Sequence, residues 1–276
     1  MRVLGAAALF STGGAAIKAC ALTGWQVASF RSGFAALAIL LFVPAARRGW
    51  SSRTLLVSVG YAATLTLFVL ANKLTTSAAT IFLQSTAPVY LLLLSPWLLR
   101  EPIARRDLAF LGVLAAAMGM VFLGREAPSA TAPDPALGNL LAAGSGFAWA
   151  FTVLGLRWLA RGDEGGARTA AGAAAAGNLL AFAVCLPFAL PMEAPRMVDW
   201  ALLAYLGAFQ IGMAYVLLTG GMRWVPALEG SLLLLLEPAL NPIWAWLVHG
   251  ERPGPWVLAG GATILLATAV HAVRTR

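Results

Sequence analysis

A few side chains that could do chemistry lie inside long apolar runs of this sequence. An ionisable group at membrane depth is costly and ordinarily faces a cavity or a partner, so each is a candidate for function. Glu237 sits in the middle of a run beside Pro238, and Glu229, Leu233, Glu237 and Asn241 recur every four residues on one helical face. A proline there frees a carbonyl and loosens the turn. The combination fits an acid that meets a substrate amine, carries a proton or closes an internal ion pair. A protonated glutamic acid bonded to a neighbouring helix is the structural alternative. Lys18 shares a face with Ser11 and with Gly14 or Ala15. It reads either as a cavity cation for a substrate carboxylate or as a lysine whose stem snorkels to the interface. Arg31 follows Trp25 and Gln26. It reads first as an interface arginine in an aromatic belt and second as a pairing partner or carboxylate clamp. Glu229 lies near the end of its run and reads as solvated.

Uncharged polar and aromatic residues form stripes on neighbouring runs. Thr80 and Gln84 precede Pro88; Tyr61, Thr64, Phe68 and Asn72 keep helical spacing; Ser145, Trp149 and Thr152 do the same, and Tyr215 follows Gln210. Aromatic walls with a few hydrogen-bonding groups suit a small amphipathic molecule, and the same residue types also bond helix to helix. The candidate substrate-binding set is Lys18, Tyr61, Thr64, Phe68, Phe82, Gln84, Trp149, Gln210, Tyr215 and Glu237. Pro88 and Pro238 are the candidate hinges.

The elements that must position these residues follow from composition. Of 276 residues, 60 % are hydrophobic and 11 % charged, where a soluble domain carries about 25 % charged residues. The mean hydropathy is +0.81. A water-soluble enzyme and a disordered chain are both excluded. A spanning helix needs about 20 apolar residues. Runs near 3–22, 25–45, 54–73, 77–99, 107–124, 137–159, 169–190, 200–222, 226–248 and 255–273 supply ten of them. Ala and Leu dominate and no run alternates with period two, so the expected fold class is all-α integral membrane, with ten transmembrane helices.

The net charge of +8 comes from 17 Arg and 2 Lys. These punctuate the runs in ones and twos and are not interleaved with stacking aromatics, so they mark topology and not a nucleic-acid partner. With the N-terminus inside, thirteen basic residues fall on the cytoplasmic side and four (Lys73, Arg125, Arg196, Arg252) outside. That bias predicts a multi-pass protein of a bacterial inner membrane with both termini cytoplasmic. Cys20 and Cys185 lie far apart in apolar runs and form no disulfide framework or metal motif. A phosphate loop, a zinc-binding His pair and a paired nucleophile and base are all absent from the sequence. No cofactor, no metal and no catalytic residue are expected, and the chain reads as a non-enzyme. Its expected partners are a small-molecule substrate and membrane lipid, with the chain a monomer or else a dimer.

Pro88 is followed 13 residues later by Glu101 and then Pro102, and Pro238 is followed 13 residues later by Glu251 and then Arg252-Pro253. The offset of 150 also aligns Leu108-Ala109 with Leu258-Ala259. The chain therefore divides into a first five-helix repeat (1–124), an exposed Pro-, Ser- and Thr-rich outer linker (125–136) and a second five-helix repeat (137–276). Five is odd, so the repeats insert in opposite senses, a recurrent build of secondary transporters with the substrate near the midplane.

The ten-span layout, the mid-span prolines and the turns Arg100-Glu101-Pro102 and Gly250-Glu251-Arg252-Pro253 resemble the drug/metabolite transporter superfamily, EamA-type branch, over residues 3–273. Arg100 departs from the glycine usual before that Glu. Within the branch the chain is most similar to exporters of aromatic and other amino acids. The resemblance implies a central cavity lined by spans 1, 3, 4, 6, 8 and 9, with spans 5 and 10 to the side. It implies export of amino acids, aromatic and other neutral ones first, by alternating access. The alternative it leaves is export of cationic drugs or other small metabolites.

Overall fold

The computed structural model describes residues 1–48, 50–98, 105–124, 126–160, 166–192, 195–222, 224–225 and 227–274. Among these no strand forms, only an isolated bridge between Ser129 and Ala132. Helices α1 (Arg2–Ser11) and α2 (Gly13–Ala19) follow each other across a break at Thr12. Helix α3 (Gly24–Phe42) starts on a capping box, in which the Thr23 hydroxyl accepts from the Gln26 amide and the Gln26 side chain accepts from the Thr23 amide. The Ser51 hydroxyl caps α4 (Ser52–Leu74) and that of Thr76 caps α5 (Ser77–Gln84). Then come α6 (Ala87–Leu98) and α7 (Arg105–Leu123). The second half holds α8 (Pro135–Ala160), α9 (Gly166–Ala189), α10 (Met197–Ala204), a π-helical segment (Tyr205–Met213), α11 (Ala214–Met222), α12 (Ala227–Leu234), α13 (Leu236–His249) and α14 (Pro255–Arg274).

Among the described residues, eight helical runs are long and apolar enough to cross a membrane, which makes this a multi-pass membrane protein. Ten runs were expected. The two that fall short are the first, which Thr12 interrupts, and Asp107–Leu123, which is apolar but shorter. Glu101 and Pro102, one of the two paired turns, lie outside the described residues.

Helix α4 packs on α8 and α9, α3 on α9 and the π segment, α1 on α11 and α13, and α14 on α7. All of these contacts join the two halves of the chain. Small residues set the approach: Ala171, Ala174 and Ala175 of α9 pack with Ala35 and Ile39 of α3 in one buried cluster. On the π segment, a Cβ at Gly207 would lie 2.5 Å from the Arg31 carbonyl oxygen, so only glycine admits α3 at that height.

The helix breaks have local causes. Pro88 stands in the first turn of α6 and has no N–H for the Gln84 carbonyl, and the chain turns at Ser85–Thr86. Pro238 stands likewise in the first turn of α13, after the break at Leu235. The Gln84 carbonyl, freed by Pro88, and the Leu83 carbonyl, which accepts from the Thr86 amide and hydroxyl, lie against Gly146 of α8, 3.1 and 2.9 Å from where a Cβ would sit. At Thr12 the hydroxyl binds the Leu9 carbonyl at 2.7 Å and the Tyr205 hydroxyl at 2.8 Å, diverting the backbone from the regular ladder.

The segment after α7 is not simply the exposed linker its composition suggests. Residues 127–130 are exposed, but Ala132 is buried, the Glu126 side chain accepts from the Gly254 amide at 2.5 Å, and the Asp134 amide donates to the Leu74 carbonyl at 3.0 Å. The chain folds back over one end of the bundle because polar groups there would otherwise lack partners.

Candidate functional site

At the end of the bundle where α2 stops and α13 hands over to α14, the charges are paired. Helix α13 ends on Gly250 in the left-handed conformation (φ +67°), which glycine adopts without a Cβ penalty. The turn carries the Glu251 carboxylate inward to an ion pair with Lys18 at 3.2 Å, and both side chains are buried, 4 % and 2 % exposed. Lys18 also donates to the Thr75 carbonyl at 2.8 Å and to the Thr131 carbonyl. Glu251 accepts from the Ser77 amide at 2.5 Å. Burial pushes the Glu251 carboxyl above its ordinary pKa, while the Lys18 ammonium and the Ser77 amide pull it back. Close by, Lys73 donates to the Cys20 carbonyl at 2.6 Å, and Asp199, clasped by Arg196, accepts from the Ala21 amide at 2.8 Å. Helices α2, α4, α5, α10, the turn after α13 and the segment after α7 are thus tied together at this end.

One step deeper, three helices converge on Gly14. A Cβ there would lie 2.8 Å from both the Asn241 amide oxygen and the Ser77 hydroxyl, and one at Gly13 would lie 2.8 Å from the Gln210 amide nitrogen. The Trp244 indole donates to the Ser11 hydroxyl at 2.9 Å, and the His249 ring meets the Ala15 carbonyl at 2.8 Å. Gln210 donates to the Phe10 carbonyl at 3.2 Å, one residue before the Ser11–Gly13 break. Several groups here are buried without a hydrogen-bond partner: both amide atoms of Asn241, the Ser77 hydroxyl and the Gln210 carbonyl oxygen. Buried polar groups are ordinarily satisfied, so such a cluster marks a place for a ligand or water. Glu237 lies one turn before Asn241, half-buried, and among the described residues it makes no hydrogen bond or ion pair.

A second polar group lies among α3, α4, α8 and α9. The Tyr61 ring packs on Gly177, 2.7 Å from where a Cβ would sit, and is 6.5 Å from the Trp149 ring. Gln84 donates to the Ser145 hydroxyl at 2.6 Å, which donates to the Thr64 carbonyl at 3.3 Å, and the Thr64 hydroxyl turns back to the Gly60 carbonyl at 2.8 Å. Tyr61 is also close to Arg31, Asn178 and Tyr215. Arg31 is not an interface residue: it is 2 % exposed, whereas Trp25, its supposed belt partner, packs on Phe188 at 4.9 Å between ring centroids. Its side chain lies beside Tyr61 of α4, and its backbone carbonyl lies against Gly207 of the π segment.

The expected site residues fall into three sets. Gln210 and Glu237 lie on the elements around the glycine junction, and Tyr61, Thr64, Gln84, Trp149 and Tyr215 lie along the second group. Lys18 belongs to the ion-paired end. Phe68 is buried in the main apolar cluster, and the Phe82 ring lies over Gly261 of α14. Glu229 is exposed, as its place near the run's end implies. The sequence reading passed over Glu251 as a site residue, using it only to mark the repeat, and it passed over Glu126. The signal for Glu251 was available: an acid just past a Gly C-cap, in a chain with an unpaired lysine in its first run.

Residues 136–272 match the EamA-like transporter family. A solved crystal structure aligns with a TM-score of 0.65 over 99 % of this chain and 97 % of that one, at 20 % sequence identity, a likeness of fold alone.

Proposed function

We propose that this chain, whose second half is a domain of the EamA-like transporter family within the drug/metabolite transporter superfamily, exports neutral amino acids, aromatic ones foremost, from a bacterial cytoplasm. Members of that family are small-molecule membrane transporters and not enzymes. The finer reading is our own. Ten spans form two inverted five-helix repeats, 1–124 and 137–276, joined by 125–136, with both termini cytoplasmic. The observation that carries it is the matching of helix breaks: Pro88 and Pro238, 150 residues apart, each open a half-helix just after a break. Corresponding interruptions in two halves are the best pointer to a transporter's substrate site. The unpartnered Asn241 amide lies one turn after Pro238.

The Glu251 end is then the outer side, drawn shut by Lys18–Glu251 and its neighbours. Lys18 serves as a gate residue in this conformation, because its ammonium is already spent on Glu251 and two carbonyls. Glu237, the unpartnered acid, receives the substrate amine, and Gln84, Gln210, Tyr61, Tyr215 and Trp149 form the walls. Counterflow into liposomes holding the purified chain tests the reading. L-phenylalanine and other neutral amino acids are expected to exchange with a preloaded pool and to compete with one another. Preference for cations lacking a carboxylate would replace amino acid export with drug export, and no exchange of any solute would end the transport reading.

A further inference from the structure

We propose that Arg31 receives the carboxylate of the transported molecule. The inference deepens the transport reading and rests on it for the identity of the cargo. Arg31 is 2 % exposed, and its Nε and Nη1 atoms have no acceptor. A buried guanidinium without an anion is a costly thing to keep, since desolvation is uncompensated. Among the described residues, the two lysines at the Glu251 end are engaged: Lys18 holds Glu251 and two carbonyls, and Lys73 donates to the Cys20 carbonyl at 2.6 Å. Among the described residues no carboxylate pairs with Arg31; the phenol of Tyr61 lies near it. Tyr215 flanks that phenol in turn, and the Asn178 carbonyl oxygen beside it is also unpartnered.

The surroundings fit an organic carboxylate. A planar guanidinium matches the two oxygens of a carboxylate in a bidentate pair. Tyr61, Tyr215 and Trp149 offer apolar faces for the rest of the molecule. A phosphate dianion would call for a second free cation, and Lys18 and Lys73 are both occupied. The Arg31 backbone is also locked to the π segment at Gly207. Such π-helical turns are frequent at functional sites, and any shift of that segment moves the guanidinium with it.

The test uses the full chain purified in detergent, titrated with L-phenylalanine, 3-phenylpropionate, phenethylamine, L-phenylalaninamide and inorganic phosphate while binding and thermal unfolding are followed. The two carboxylates are expected to bind and stabilise the wild type. Arg31→Gln is expected to weaken them about 10- to 100-fold, the span of a lost charge-assisted contact, and to leave phenethylamine binding unchanged. Arg31→Lys is expected to fall between. Equal losses for the amine and the carboxylates, or none for the carboxylates, would overturn the proposal. So would stabilisation by phosphate alone. Should Arg31→Gln not fold, the wild type still decides: L-phenylalaninamide binding as tightly as L-phenylalanine would refute the proposal. If carboxylates bind through Arg31 without liposome flux, the transport reading fails and Arg31 stands. If Arg31→Gln carries L-phenylalanine at full rate, Arg31 fails and the transport reading stands.

Discussion

Glu251→Gln is the substitution with the most sharply defined consequence. It removes the anion from a pair in which both side chains are buried, 4 % and 2 % exposed. Breaking one partner of a buried pair costs about 3–5 kcal/mol, because the other charge is left desolvated. The Thr75 and Thr131 carbonyls still solvate Lys18, which places the cost near the lower end, about 3 kcal/mol. Opening this end to water removes the penalty, so the loss falls on the closed conformation only. At about 1.4 kcal/mol per factor of ten, the open population rises by roughly two orders of magnitude. Cys20, 1 % exposed at this end, reports on it. In a Cys185→Ala background, Cys20 should react slowly with a membrane-impermeant maleimide in the wild type and about 100-fold faster in Glu251→Gln. Lys18→Met strands Glu251 and should act in the same direction. The double change Lys18→Met/Glu251→Leu replaces the pair with apolar volume, which is often neutral, and should restore slow labelling. A folded Glu251→Gln protein whose Cys20 stays as slow as wild type would refute the gate, as would a double variant as fast as the singles.

Four further outcomes are expected. Glu237→Gln should raise the KM for L-phenylalanine counterflow about 10- to 100-fold, the worth of a charge-assisted contact with the amine, while 3-phenylpropionate binding is unchanged. Gly207→Ala puts a Cβ 2.5 Å from the Arg31 carbonyl oxygen and should lower stability by about 1–3 kcal/mol in thermal unfolding, as overpacking does. Gly112→Ala, with nothing within 4 Å of its Cβ, should be neutral or raise stability by up to about 1 kcal/mol through helix propensity. Pro238→Ala should let α12 and α13 join, slowing counterflow without lowering thermal stability.

Much of the architecture was legible because it is written locally. Apolar length marks the spans, and Pro88 and Pro238 announce breaks that the backbone then shows at Ser85–Thr86 and Leu235. The break at Thr12 had only a weak signal, Thr before two glycines. Its meaning depends on the space those glycines leave for Gln210 and Asn241, far along the chain. Lys18 was visible as a charge in an apolar run, but its partner Glu251 is 233 positions away, and its pairing depends on the Gly250 turn. Arg31 reads differently for the same reason: nearby Trp25 suggests a belt, and Tyr61, beside which Arg31 is buried, lies thirty positions along the chain. Pairing between halves cannot be read from neighbours in sequence.

The central claim is that the two ends of one bundle open in turn around a central substrate. Spin labels in a cysteine-free background test it most directly, one pair at Pro128 and Arg252 on the Glu251 end and one at Arg53 and Trp224 on the other, all exposed positions. Pulsed electron resonance on the chain in lipid nanodiscs, with and without L-phenylalanine, reads both distances. The account predicts two populations whose weights shift with ligand, the short distance at one end accompanying the long distance at the other. A single distance at each end, unmoved by L-phenylalanine or any other amino acid, would contradict it.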